Sequence, residues 1–341
     1  MILFCPSIYL CLFLTSFRSF YEDECSIYGR TLVLVCVPYL SWTSRKQFPL
    51  LNGELSMLND KNFLVTALRN LTVCVCTLNE EQNIAACIDS IRLSFMGSII
   101  IVDGNSDDAT VQIAKDRGCE VIVTPIRNLA HQRNLGVNSA TTDYLAFFDA
   151  DDRPSDSTIS EMIHSLIYNN ATAVMARSKS FENSTYWQRG MDFSVNIDGQ
   201  ESGFTNMIGQ PSMFVRKDLV DIQHDETFTS CEDTFISRSL EIKKKKMYLS
   251  DAINYRLHDR YFADYCKKIR SYGAGDARFI KVFPERRFST IYHLLINYPI
   301  IKSFKLIKAG KFYYVPFVVF MGLGRFYYLT KQYINDKLNL I

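Results

Sequence analysis

The sequence predicts an α/β protein built on a doubly wound, mostly parallel sheet with helices on both faces. Short, continuously apolar, β-rich runs recur from Leu71 onward, and stretches with apolar residues at helical spacing separate them. Strands buried on both faces of a parallel sheet need that continuous apolar character. The polar, acid-rich clusters also fall just after the apolar runs, where such sheets gather their ligands.

The first strand is "LTVCVCT" (71–77), closed by Asn79; Ile84, Cys87, Ile88 and Ile91 then stand at i, i+3, i+4 and i+7 of an amphipathic helix. "SIIIVD" (98–103) is the second strand, followed by a helix from about Ala109 to Arg117 that Gly118 stops. "EVIVTP" (120–125) precedes a helix from about Ala130 to Ser139, and "YLAFFD" (144–149) precedes one carrying Ile159, Met162, Ile163, Leu166 and Ile167. Beyond residue 170 the periodicity weakens. "SMFVRKDLV" (212–220) suggests a short strand entering a helix. "SCEDTFISRSLEIKKKK" (230–246) suggests a helix with Phe235, Ile236 and Leu240 inward and its lysines at a solvated end that suits the helix dipole. Residues 259–280 suggest a polar helix and 288–308 another.

At 341 residues and 48% hydrophobic, the chain accommodates one domain of roughly 230 residues plus additions. A net charge of +2 excludes a general nucleic-acid binder, which needs a clear basic excess for phosphates. The ten cysteines form no CxxC pair and several sit inside apolar runs, so they suggest buried thiols in a reducing compartment. Asn70, Asn170 and Asn183 open Asn-x-Ser/Thr triplets, of which Asn70 begins a core strand. Residues 1–68 form an N-terminal extension. Its two apolar runs, "MILFCPSIYLCLFLTSF" and "TLVLVCVPYLSW", fall short of the roughly 20 residues of a membrane-spanning helix, and the first lacks a basic start. The segment is either an anchor or an addition outside the working domain, including a start placed too early, with Met57 the next initiator.

Four polar clusters, "TLNEE", "DGNSDD", "RNLAHQRN" and "DADD", leave the sheet at one edge. No glycine-rich dinucleotide loop or P-loop follows any strand. In "LAFFDADDRP", Asp149, Asp151 and Asp152 repel one another unless something cationic stands beside them. A divalent cation such as Mg²⁺ takes one or two protein carboxylates and completes its shell with water and substrate phosphate. The competing reading is a loop whose aspartates, Asp152 or Asp156, cap the helix beginning near Ser155.

"TLNEE", "VDGNSDDAT", "AHQRNLGVNSATTDYLAFFDADDRP" and "CEDTF", in this order and spacing over about residues 70–260, resemble a family 2 glycosyltransferase of the GT-A fold. The resemblance implies a catalytic domain at 69–260, with a nucleotide-binding half (69–152) and an acceptor half (153–260), and a C-terminal helical region (261–341). It implies that Thr77, Asn79 and Glu80 line the nucleotide pocket, Asp103 meets the base, Arg133 lies near the diphosphate, Asp149 approaches the ribose and Asp151 holds Mg²⁺ or Mn²⁺. Asp233 in "CEDTF" matches the general base, a reading the upstream motifs favour over a first-turn acid that only complements the helix dipole. His258 and Arg260 are candidates to reach the leaving diphosphate. The implied reaction is an inverting transfer from a nucleotide-diphosphate sugar, uridine-linked by family precedent, to a carbohydrate or lipid-linked acceptor in polysaccharide, lipopolysaccharide or glycolipid assembly. Two alternatives stay open: a sugar-nucleotide-forming nucleotidyltransferase, whose glycine-rich loop is missing here, and an inactive membrane-attached scaffold. The stretch 312–324, rich in aromatics and flanked by Lys311, Arg325 and Lys331, suits either an interfacial helix pair on the cytosolic face of a membrane or a helix packed on the domain.

Overall fold

The expected strand–helix alternation over 71–149 is present. The computed structural model describes residues 63–181, 184–199 and 201–338. Both N-terminal apolar runs, Met57 and Asn183 lie outside those residues. A short helix at 63–69 leads into β1 (Leu71–Thr77), which is flanked in parallel by β2 (Ser98–Asp103) and β4 (Tyr144–Asp149), with β3 (Glu120–Val123) beyond β2.

The rest of the sheet is mixed, which corrects the expectation of a mostly parallel one. β5 (Asp152–Pro154), β6 (Ala173–Lys179), β7 (Gly203–Thr205), β8 (Ser212–Val215) and β9 (Met247–Arg256) extend it in the order β3-β2-β1-β4-β8-β6-β9-β5, with β7 also on β9. β8 runs antiparallel to both β4 and β6, while β6 and β9 pair in parallel.

Alternate residues of the central strands enter two cores, as the two-residue period of a strand requires. On one face Leu71, Val73, Val75, Ile99, Ile101 and Phe148 pack against the helices Ile84–Arg92 and Thr158–Tyr168. On the other, Cys74, Ile100, Val102, Leu145 and Phe147 pack against Leu129–Ser139, Arg216–Ile222 and Glu232–Ile242. The six described cysteines are free thiols. The lysine run lies past the helix end at Ile242, in a turn where Lys245 pairs with Asp218 at 2.7 Å.

The C-terminal helices differ from expectation. The helix Phe262–Val282 is not polar all round: it buries Tyr265, Ile269, Ala277, Phe279 and Ile280. The stretch 312–324 belongs mostly to one long helix, Val315–Leu338, whose Phe317, Val318, Met321 and Leu329 are buried, so that face is packed on the protein. Glycine makes the close crossing possible: a Cβ on Gly322 would lie 2.7 Å from the Leu294 carbonyl oxygen, and one on Gly273 2.7 Å from that of Arg325. Among the described residues no helix is long and apolar enough to cross a membrane.

One buried ion pair ties two of these helices. Arg325 donates from Nε and Nη2 to the two carboxylate oxygens of Asp276, at 2.9 and 2.8 Å. Removing one partner leaves the other charge buried without compensation. Asp276→Ala is therefore expected to lower the unfolding free energy by about 3–5 kcal/mol, measured by urea denaturation followed by circular dichroism.

Candidate active site

The register of the parallel strands sets the site. Thr77 stands opposite Asp103, and Cys76 opposite Asp149, so three of the four polar clusters leave the sheet side by side. Beyond β4 the chain turns at once into β5, which pairs antiparallel with β9 and places Asp152 directly across from Arg256. Cross-strand neighbours at this spacing interact directly.

The loops after β1 and β2 are stitched together. Asp103 is fully buried and accepts from the Thr77 hydroxyl (2.9 Å), the Ser106 hydroxyl (2.6 Å) and the Ser106 amide (2.7 Å). Asn79 adopts a left-handed backbone (φ 57°), which Asn tolerates better than most residues. It accepts from the Asp107 amide, and the Glu80 amide donates to the Thr110 hydroxyl, each at 2.8 Å. Gln132 supports both loops from below, donating to the carbonyls of Thr77 and Val102 at 2.8 and 2.9 Å. Asp103 thus fixes the loops instead of presenting an open carboxylate to a base. Asn79 is exposed at the rim and Glu80 half-buried, its carboxyl pushed up mainly by burial.

The acid cluster carries its own counter-cations. Arg256 donates to Asp152 through Nε (2.7 Å) and Nη2 (2.9 Å), and to Asp149 through Nη2 (3.0 Å). Asp152 is wholly buried and also accepts from Asn254 (2.6 Å) and the Asp149 amide (2.8 Å). It is a strand residue locked into the sheet, not a cap for the following helix. The self-repulsion of the three aspartates is met first by an arginine.

Asp151 is the exception. Its Oδ1 is buried with no hydrogen-bond partner, 3.7 Å from the Arg256 Nε. Burial pushes its carboxyl up to about 7; Arg256 opposes this, and Asp152 and Asp149 add to it. Oxygens of Asp149, Asp151 and Asp152 lie within 4.8 Å of one another, a spacing that admits a metal ion. The donor set fits a hard divalent cation with Asp151 as its protein ligand, because both oxygens of Asp152 are already used.

Arg133, from the helix Leu129–Ser139, is also occupied. It donates to Glu232 at 2.5 Å and reaches Asp149 at 3.4 Å, with only 3% of its side chain exposed. Burial works against its charge, yet Glu232 and Asp149 outweigh it and raise its pKa. A guanidinium held on both sides by carboxylates positions those carboxylates and is not open to a diphosphate. Glu232 thereby gains a role beyond complementing the dipole, while Asp233 beside it is half-buried and accepts from the Thr234 amide at 2.7 Å.

His258 is buried and Arg260 is exposed. Burial, then the charges of Arg256 and Lys268, depress His258 to about 3, which keeps it neutral. Lys268, paired with Asp259 at 2.6 Å, lies within electrostatic reach of Asp151. The sequence reading missed Arg256 and Lys268. For Arg256 the signal was available: "NYRLHDR" puts a cation two residues before His258, and three aspartates demanded one.

Residues 72–238 match the model of glycosyl transferase family 2. Residues 72–238 belong to glycosyltransferase family 2. The chain is 29% identical over 109 residues to an uncharacterized glycosyltransferase of Rickettsia typhi, spanning 32% of this chain and 37% of that protein. It is 29% identical over 119 residues to protein RfbJ of Shigella flexneri (34% of this chain, 92% of that one). A putative glycosyltransferase of Bacillus subtilis, EpsH, is 26% identical over 214 residues (55% and 61%). The chain therefore spans little more than a third of the Rickettsia protein's length. Among solved structures, S. aureus TarS 1–349 is similar with a TM-score of 0.47 at 16% identity, covering 79% of this chain and 91% of that one.

Two outcomes follow from this arrangement. Arg256→Met strips the main counter-charge from buried carboxylates and should cost about 3–5 kcal/mol, with part of the loss in thermal stability restored by millimolar Mn²⁺. His258 is neutral when folded but has a pKa of about 6.5 when unfolded, so the unfolded chain binds more protons between about 3 and 6.5. Stability should thus fall on acidification below about pH 6.5, by up to about 1.4 kcal/mol per unit from this residue. His258→Gln should flatten that slope in urea titrations.

Proposed function

We propose that the protein transfers a sugar from a nucleotide-diphosphate donor to an acceptor hydroxyl, with inversion at the anomeric carbon and dependence on a divalent cation. The observation that carries this reading is the bare, buried Oδ1 of Asp151 beside two further carboxylates at the carboxyl edge of the sheet. Bound there, Mg²⁺ or Mn²⁺ would supply positive charge for the departing nucleoside diphosphate.

The remaining roles belong to the chain's own residues. Thr77, Asn79 and Glu80 shape the nucleotide pocket, and Asp103 determines its shape from beneath through Ser106. Arg133 and Arg256 hold Asp149 from two sides, which fixes it for the ribose. Asp233 takes the acceptor proton, with its Oδ2 uncommitted by the bond to Thr234. Lys268 lies within electrostatic reach of Asp151, and we assign the diphosphate contact to Lys268 and His258 before Arg260. Uridine as the base, and a carbohydrate or lipid-linked acceptor at the cytosolic face of a membrane, rest on the family resemblance.

A thermal-shift screen of nucleoside diphosphates and their sugars with Mn²⁺ tests the proposal. At least one should stabilise the protein, and Asp151→Ala should abolish the Mn²⁺-dependent part. Asp233→Asn should retain donor binding and lose roughly 10²–10⁴-fold in kcat. Stabilisation by none of the nucleotides would overturn it.

A further inference from the structure

Residues 287–308 run end to end as Arg287–Tyr292, His293–Lys302 and Ser303–Lys308, and the central ten residues are a π-helix. An α-helix of 3.6 residues per turn rotates residues four apart by about 40°. The wider i→i+5 turn holds them closer to one line. The burial follows that period. Leu294, Tyr298, Lys302 and Leu306 are buried, whereas Phe288, Tyr292, Ile296, Ile300 and Phe304 face solvent, Phe288 by 83% and Phe304 by 58%. Ile307, Phe312 and Tyr313 extend the exposed apolar row. Single exposed apolar residues are ordinary, but an aligned row of this size is characteristic of a binding surface.

The charge around the row selects its partner. From residue 286 to residue 335 the sequence contains no acidic residue and eight arginines and lysines. Lys302 and Lys305 pair with Asp198, Arg286 with Glu241 and Arg325 with Asp276. Among the described residues, Arg287, Lys308, Lys311 and Lys331 have no carboxylate partner, and Lys308 lies 4.7 Å from the ring centre of Phe304. Apolar side chains with unpaired cations beside them match a lipid surface bearing negative headgroups. A second copy of the chain fits poorly, because a two-fold contact would bring the same cations together with no acids to meet them.

We infer that the 287–308 face, continued by Phe312 and Tyr313, docks on an anionic membrane surface. The inference rests on the membrane-surface part of the proposed function and deepens it by placing the contact on this row instead of the largely packed 315–324 helix face.

The test is co-sedimentation of the full chain with vesicles of phosphatidylcholine alone or with about one third phosphatidylglycerol. Binding should require the anionic lipid and weaken with salt. Phe288→Ser/Ile300→Ser/Phe304→Ser should reduce it about tenfold or more, and Lys308→Glu/Lys311→Glu should do so separately, each with an unchanged thermal midpoint because these side chains are exposed. No binding by the wild type, or equal binding by both variants, overturns the inference. So does a dimer in light scattering that the serine variant dissociates. Nucleotide binding is read separately, so loss of one result leaves the other standing.

Discussion

The architecture of the site depends on an alternating chain of charges that crosses the sheet: Glu232, Arg133, Asp149, Arg256, Asp152. Three of the four links join elements distant in sequence, and Arg133–Asp149 joins a helix to the strand that follows it. Arg133 couples the helix after β3 to the first turn of Glu232–Ile242, and Arg256 couples the last strand to the loop after β4. The antiparallel pairing of β5 with β9 makes the second link unavoidable, because it sets Asp152 across from Arg256. Without that strand reversal, Asp152 would lose its arginine and Asp149 would keep only Arg133, at 3.4 Å.

Magnitudes explain why the arginines alone leave the site open to a further cation. Carboxylates whose oxygens come within 4.8 Å repel by roughly 3–4 kcal/mol per pair at an effective dielectric near 20. Arg256 contacts all three aspartates and offsets much of that repulsion. Yet Asp149, Asp151, Asp152 and Glu232 are four carboxylates facing two guanidiniums. The excess is negative charge, which Lys268, itself paired with Asp259, only partly offsets. It is concentrated at Asp151, the member with a bare oxygen and a pKa pushed up to about 7. The acidic cluster is therefore neither simply a metal cage nor simply a salt-bridged corner of the sheet.

The stretch from β1 to β4 was legible because its strands are continuously apolar and its first helix keeps a clean 3.6-residue period; Ile84, Cys87, Ile88 and Ile91 are all buried as their spacing required. The later half was not, because its strands carry polar residues that bond within the sheet. Ser250 donates to the Met175 carbonyl and Asn254 to Asp152, so β9 shows no apolar alternation. β5 and β7, at three residues each, are too short for a period to appear. The helix Tyr186–Asn196 was available from another sign, the capping box of Thr185 and Gln188. In the site, the positions of Asp149 and Asp151 followed from sequence, but the occupancy of Arg133 and Asp103 did not. Sequence gives the charge of a residue and not whether its partners are already satisfied.

The C-terminal helices connect this site to the rest of the molecule. Asp233 lies in the first turn of the helix Glu232–Ile242, whose preceding residue, Cys231, is held in a left-handed conformation (φ 61°), a strain that neighbouring packing must maintain. That packing comes from Phe262–Val282. Ser230 donates to the Ser271 carbonyl at 2.7 Å, and a Cβ on Gly275 would lie 2.8 Å from the Ser230 carbonyl oxygen, so the two backbones are in direct contact. The same helix is locked to Val315–Leu338 through Asp276 and Arg325, and Val315–Leu338 covers the buried face of 293–302 through Gly322. A continuous set of packed backbones thus runs from the exposed apolar row to the turn that presents Asp233. The row and the turn that carries Asp233 are thus joined through direct backbone contacts between packed helices.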